Sequence, residues 1–219
     1  ATGRNTQASG EYSAAFGNAS NASGEGAFAG GFAGIASGNY SLAIGENPQA
    51  IGDNSIALGR GCIASGTGAI AIGYHPEVYA DFGVGFGNFA RVNAANGVAM
   101  GYRAQVDHVG TFIFADQTSA SWTPSTADNQ FMVKSSGGAI FYSNSTLTTG
   151  VTLPAGGGAW SSLSDRNSKE NIAVIDPQSY VEKLDSIEVY YWNYISQDSS
   201  FQHIGPMAQD FYAVFGIGE

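Results

Sequence analysis

Charge is scarce in this 219-residue sequence: Asp, Glu, Lys and Arg together make up 12% of it, about half the roughly 25% of an ordinary globular chain. With 43% hydrophobic residues beside so little charge, neither charge-driven disorder nor a helical coiled-coil rod fits. Six prolines are too few for a chain-long collagen helix, which needs abundant proline and glycine at every third position. A single cysteine, Cys62, excludes an intrachain disulfide or a thiolate metal cluster and is expected only to fill a small repeat position. No apolar run approaches the roughly 20 residues of a membrane-spanning helix, and no basic stretch followed by an apolar one opens the sequence. It begins within a repeat and so reads as a piece of a longer chain. Positive charge is the scarcest of all. Eight basic against eighteen acidic residues give a formal charge of −10, which repels phosphate backbones and anionic membrane surfaces, so no nucleic acid is expected as a partner.

No cofactor or metal is expected either. There is no Gly-x-Gly-x-x-Gly between a strand and a helix and no phosphate-cradling Gly-Lys-Ser or Gly-Lys-Thr. His75, His108 and His203 are too scattered for zinc, and the regular aspartates of calcium-binding β-rolls are missing. The sequons at Asn18, Asn21 and Asn144 are of a kind that arises by chance in Asn/Ser-rich repeats.

What the sequence has in excess is glycine, 31 residues, about twice the usual share of roughly 7%. Eleven glycines from Gly3 to Gly73 follow one another at a spacing of seven, and the residue two before each is alanine from Ala8 to Ala71. Beyond Gly73 a spacing of fourteen survives at Gly87 and Gly101, which makes the unit fourteen residues in two halves. An obligatory glycine in every half excludes helix, where it costs about 1 kcal/mol relative to alanine. Segments such as Ser41-Leu42-Ala43-Ile44-Gly45 and Ser55-Ile56-Ala57-Leu58-Gly59 alternate small and branched residues with the period of a strand. Glycine is then expected to supply the positive φ of a tight corner. The pattern predicts a mainly β fold, a chain coiling with two short strands and two corners per turn, eight coils over residues 3 to 115. At about 4.8 Å per coil that is a rod of roughly 38 Å. One strand face carries Ala and Ser, the other Ile, Leu, Val and Phe. So narrow a coil can bury only one of them, and the other forms an apolar stripe of the kind that marks an interface. A parallel homo-oligomer follows, with either face open as the one at its axis.

The iterated Ser-x-Ala-Ile-Gly and Ala-x-Ala-x-Gly units resemble the head repeats of trimeric autotransporter adhesins, over about half the chain. The resemblance implies left-handed parallel β-roll repeats packed three about an axis as a homotrimeric fibre. Pro76, His108, and Ala80 and Ala94 where glycine is due depart from the pattern, and distorted or decorated coils are expected there.

Residues 1 to 106 are read as this roll and 107 to 163 as a β-rich connector or tip. The connector carries short strands at Thr111 to Phe114, Gln130 to Val133, Ala139 to Tyr142 and Val151 to Leu153, and a hinge at Gly156 to Gly158. Its aromatics, Phe112, Phe114, Trp122, Phe131, Phe141, Tyr142 and Trp160, are expected mainly as core of a β-rich knot or prism shared among chains, with a glycan site as the alternative.

From Ser164 to Glu219 the vocabulary changes, and the segment holds nine acids against three bases, as a separate α+β unit would. Asp176-Pro177 reads as the N-cap and first turn of a helix, Ile187 to Ile195 as a strand paired with Phe201 to Ile204, and Met207 to Phe215 as a helix stopped by Gly216. Ser164-Asp-Arg-Asn-Ser-Lys-Glu-Asn-Ile172, Trp192-Asn-Tyr194 and His203-Ile-Gly-Pro-Met-Ala-Gln-Asp210 resemble the C-terminal intramolecular chaperone of endosialidases, phage tail spikes and related fibres. Residues 164 to 219 match its N-terminal part, whereas that domain continues into a long helix associating across a trimer. The resemblance implies self-cleavage before a serine by a serine-lysine dyad: Ser164 as nucleophile, Lys169 as base, Leu163-Ser164 as the scissile bond. Asp165 and His203 fall at matching motif positions, as supports of the dyad or as structural hydrogen-bonding groups. A lysine acts as base only when burial pulls its pKa towards neutrality, so burial on assembly would time the cut.

Together these readings point to an extracellular homotrimeric fibre on a bacterial surface or phage tail, attaching to a cell-surface glycan or other envelope component. The alternative is the shaft of a phage tail spike whose glycan-depolymerising part lies elsewhere. Glu11, Glu25, Glu46, Asp53, Glu77 and Asp81 show no clustering of the kind that glycoside hydrolysis needs, and an ice-binding solenoid would need a threonine ladder that is not there.

Overall fold

A computed structural model describes residues 1–163 and 166–217, except for the side chain of Ser168. The chain divides into two compact units, Ala1–Leu163 and Ser164–Glu219.

The first unit is a parallel β-solenoid of about eight turns. Five-residue strands such as Ala14–Asn18, Leu42–Glu46 and Ile56–Arg60 stack into a ten-stranded parallel sheet. Two-residue strands such as Asn21–Ala22 and Gln49–Ala50 stack into a nine-stranded one. Register follows the fourteen-residue repeat, Leu42 opposite Ile56 and Gly45 opposite Gly59. The sheets run past position 107 without a break, through Phe112–Ala115 to Phe131–Lys134 in the long sheet and Thr123–Pro124 in the short one.

The two glycines of each repeat have different reasons to be glycine. Gly45 takes a φ of +138°, whereas Gly52 has an ordinary φ. What they share is a close neighbour: a Cβ on Gly45 would run into the carbonyl oxygen of Gly59, and one on Gly52 into that of Gly66. Close stacking thus leaves no room for a side chain at Gly45 or at Gly52, and only Gly45 also needs the left-handed backbone that glycine accepts freely; in later coils the Gly52 position is taken by Ala80, Ala94 and His108 without a break in the sheets. Two further corner positions in each coil are left-handed without needing glycine, as at Tyr40, His75, Phe89 and Arg103. Each donates its backbone N–H to the preceding coil, Tyr40 to Glu25 O and Arg103 to Asn88 O among them, which offsets the roughly 1–2 kcal/mol of the conformation.

Inside each turn lie four small side chains. In one coil they are Cys62, Ala64, Ala69 and Ala71, all fully buried, and Cys62 takes the slot that Pro48 and Pro76 fill in neighbouring coils. Pro76 is therefore an inward-facing variant of a regular position. Later coils exchange volume within the same slots: Val78, Val92 and Val106 replace alanine, and glycine stands at 83, 85 and 97, where a Cβ would meet those valine methyls. Around Val78 the two glycines offset the added methyls, as close packing demands, whereas the coil of Ala104, Val106, Thr111 and Ile113 encloses a larger core.

Beyond Lys134 the chain turns antiparallel. Gly138–Tyr142, Gly150–Pro154 and Ser161–Ser162 form a three-stranded sheet, with Gly156 to Gly158 in the connection before the last strand. Phe112 stacks on Phe131 at 5.2 Å between ring centroids and Phe141 packs on Trp160 at 5.4 Å. Phe131, Phe141 and Trp160 nonetheless stay more than half exposed, so they are not core of this chain by itself.

In the second unit, helix α1 (Pro177–Asp185) starts where Asp176 accepts from the backbone N–H groups of Gln178 and Ser179. Helix α2 (Ala208–Phe215) ends at Gly216 with φ +64°. Between them Tyr190–Trp192 pairs antiparallel with His203–Gly205. This strand is shorter than the expected 187 to 195, and at its start Pro206, which would face Val189, has no N–H to extend the ladder. Neither helix buries a residue.

Candidate functional site

The roll settles which strand face points inward. Ala43 is fully buried within the coil, while Ile44 beside it is 40% exposed on the outer face of the ten-stranded sheet. Repetition at fourteen residues turns that alternation into two outward apolar columns. One runs through Phe28, Leu42, Ile56, Ile70, Val84, Val98, Phe112 and Phe131, the other through Ile44, Leu58, Ile72, Phe86, Met100, Phe114 and Val133, with Phe16 set apart from it by Gly30. An apolar strip as long as the sheet is much more than the scattered surface hydrophobics of an ordinary monomer.

Acidic residues of the roll are taken up by structure. Asp53 and Asp81 accept the backbone N–H groups of Asn39 and Thr67 in the preceding coils, at 2.8 Å each. Glu46 pairs with Arg60 at 3.4 Å, and Glu77 accepts from the Arg91 Nε at 2.8 Å.

The edge where long strands turn into short ones gathers Arg60, Arg91 and Arg103 among aromatic rings. Arg60 lies 5.6 Å from the Tyr74 ring, and His75 stacks on Phe89 at 5.5 Å and 10°. Arg103 stands over Phe89 at 5.4 Å and Tyr102 at 5.5 Å. The last coil is longer than the others, Phe112 pairing with Phe131 nineteen positions on instead of fourteen, and its extra residues carry Trp122 back over the edge. That ring lies 4.3 Å from the Arg91 guanidinium and 5.8 Å from that of Arg103. Arg60 and Arg91 have glutamate partners, whereas Arg103 makes no ion pair among the described residues, and its Nε is buried with no hydrogen-bond partner. Beside Tyr102 opens a cleft of about 350 Å³, floored by Gly87 and Gly101 and lined by Asn88, Tyr102, Phe114 and Gln117. The Asn88 Oδ1 is likewise buried and unpartnered. Sequence reasoning missed this edge. The one signal for it was the break in period after Asp116, which brings Trp122 back to earlier coils.

Of the dyad and its candidate supports, Ser164 and Asp165 lie outside the described residues. Lys169 follows the 3₁₀ turn Arg166–Ser168 and is exposed. His203 is half-buried in its strand: its ring stacks on Trp192 at 4.5 Å and 24°, meets Tyr194 edge-on, and places Nε2 2.9 Å from Gln197 Oε1. This ties together the second and third tail motifs, Trp192–Tyr194 and the segment from His203, through their aromatic side chains. Around them the unit presents apolar surface: Tyr191 is 77% exposed, Ile204 66% and Val174 fully exposed.

Among the described residues, no helix is long and apolar enough to cross a membrane, and no group of three His, Cys, Asp or Glu side chains is placed to hold a metal ion. Comparison with curated proteins finds no match. Two family models do match. The YadA head domain repeat matches residues 1–32, 36–61, 50–75 and 81–104, and the chaperone of endosialidase matches residues 164–216. A parallel solenoid with a fourteen-residue register under the first match, and a separate α+β unit under the second, mean that the chain carries YadA head repeats followed by an endosialidase chaperone domain, as an adhesin-like or tail-fibre-like protein does.

Proposed function

We propose that this chain forms a homotrimeric fibre that attaches to a cell-surface glycan or other envelope component, and that its C-terminal domain helps three chains into register and then cuts itself off before Ser164. The observation that carries the reading is the double apolar column on the outside of the ten-stranded sheet, which a single chain leaves in water. Three copies around an axis would cover it. The uncovered apolar residues of the C-terminal unit support the same assembly.

In the proposed cleavage, Lys169 Nζ takes the proton of the Ser164 hydroxyl as its oxygen attacks the Leu163 carbonyl carbon. The peptide bond then breaks, the Ser164 amine leaves with a proton, and water hydrolyses the ester that joins the two parts. A lysine does this only as the free amine, and Lys169 in one chain is exposed to solvent. Burial by further copies would supply the missing desolvation, so that cleavage reports finished assembly.

Intact denatured mass of a C-terminally extended chain tests this, beside Ser164→Ala and Lys169→Ala, with native mass in parallel. The expected result is a wild-type product ending at Leu163, both variants whole, and a threefold native mass. If all three stay whole, residues 164–219 are a retained structural tip and self-cleavage is wrong. A monomeric native mass would remove the fibre. The engagement of Asp53 and Asp81 with backbone amides supports placing any glycan-cutting activity of a tail spike outside these residues.

A further inference from the structure

No charged residue stands between Lys134 and Asp165, where an ordinary stretch of chain would be about 25% charged. Most of that stretch forms the three-stranded sheet beyond the roll, and loss of charge from an exposed surface is the mark of the centre of an interface. The sheet presents an apolar hollow and an apolar knob, and neither is covered by its own chain. We infer that the two fit each other between chains: Leu147 of one copy seats in the hollow of the next. This contact rests on the homotrimeric reading above and names where the copies meet.

The hollow measures about 210 Å³ and is lined chiefly by Phe131, Val133, Ala139, Phe141, Leu153 and Trp160. The Ser135 hydroxyl at its wall already donates to the Gly138 carbonyl, so no side chain lining it asks for a polar ligand. It opens at the end of both outward columns, because Phe131 pairs with Phe112 of the first and Val133 with Phe114 of the second. A copy that covers the columns therefore reaches the hollow as well. Aromatic residues such as Phe131, Phe141 and Trp160 around a pocket are the anchors that carry most of the energy of an interface.

The knob is the tip of the loop that joins Gly138–Tyr142 to Gly150–Pro154. Leu147 is 62% exposed there with a φ of +58°, a conformation that strains leucine and suits asparagine or glycine. Asn144 holds the loop in place. Its Oδ1 accepts from the backbone N–H groups of Thr148 and Thr149 at 3.0 and 3.1 Å, and its Nδ2 donates to the hydroxyls of Thr146 and Thr148 at 2.8 and 2.7 Å. The polar residues on either side of the leucine thus satisfy one another and leave it standing out from a closed loop. A group fixed in this way is pre-organised for binding and loses little freedom on seating.

In one chain the two features do not meet. The hollow lies along the hairpin between Gly138 and Phe141, and Leu147, beyond the far end of that hairpin, is not among the residues that line it. A knob on one surface and a hole on another make a heterologous contact, which closes into a ring when the copies are related by rotation.

The test uses the full chain carrying Cys62→Ala, since alanine fills the same slot in later coils as Ala90 and Ala104. Adding Leu147→Cys and Ala139→Cys puts one thiol on the knob and one in the hollow. Mild oxidation should then give mainly covalent trimers in denatured mass, whereas either cysteine by itself leaves single chains. Leu147→Gly relieves the left-handed φ, so it raises thermal stability if the leucine stays in water. As the knob it should instead lower the assembled fraction in native mass about tenfold, as loss of a central anchor does. Leu147→Asp should lower it further by placing an unpaired carboxylate in the hollow. Thermal unfolding checks that the roll of each variant is folded.

A threefold native mass without cross-links in the double variant, or with Leu147→Gly assembling like wild type, overturns the contact and leaves the trimer standing. A monomeric wild type removes both.

Discussion

In the roll, most coils bury four small side chains within themselves and bond their corners to the coil before. In the C-terminal unit neither helix buries a residue, and Tyr191, Ile204 and Val174 face solvent. The contrast teaches where each region gets its stability. A solenoid needs little hydrophobic surface, because backbone ladders and stacking set its geometry and alanine merely fills the space. A short α+β unit depends on burial, and one that buries so little is left with apolar surface in water.

Altering a corner glycine is the harshest way to break the comparison. Gly45→Val puts a branched side chain at φ +138° against the carbonyl oxygen of Gly59. It is expected to cost roughly 2–5 kcal/mol, by backbone strain and steric displacement together. Cys62 reads the damage directly. Its thiol sits in a core slot, and burial pushes it up to about 11, so native protein should resist alkylation at neutral pH while Gly45→Val becomes reactive.

A gentler change tests how valine and glycine offset one another around Val78. Ala64→Val alone should lower stability by about 1–3 kcal/mol by overpacking, measured by denaturant unfolding. Adding Ala69→Gly and Ala71→Gly recreates the arrangement around Val78 with Gly83 and Gly85 and should restore much of the loss. No recovery would mean that the later coils tolerate valine for some reason other than the neighbouring glycines.

The smallest expected effect on the roll is also the most telling for the other unit. Ile204→Ser removes an exposed apolar group, so in a monomer it should leave stability within about 0.5 kcal/mol of wild type. If copies cover that surface, the variant instead lowers the yield of the assembled form in native mass measurements while the unfolding of the roll is unchanged. An assembled yield equal to that of wild type would argue that Ile204 stays in water.

Much of the fold was legible because its information is local and repeated. The glycine spacing and the alanine two residues before it predict a coil of fourteen, and an alternation of small and branched residues predicts strands. The Asp176 cap and the Gly216 stop rest on hydrogen bonds within a few residues of one another, as a sequence pattern can express. The candidate sites were less legible. The tail motifs led to His203, but its neighbours Trp192 and Gln197 emerge only from strand pairing. Arg103 and Trp122 are ordinary residues in the sequence and meet only because one coil is longer than the rest.

By itself, then, the sequence determined the repeat, its strand character and the small residues that one coil can enclose, since these depend on backbone propensity and side-chain volume counted along the chain. Tertiary structure alone decided which face turns outward, why Gly45 and Gly52 leave no room for a side chain, and which tyrosines and arginines stand at left-handed corners. Those outcomes depend on the approach of one coil to the next, where a carbonyl oxygen leaves no room for a Cβ and an inter-coil hydrogen bond offsets a strained φ.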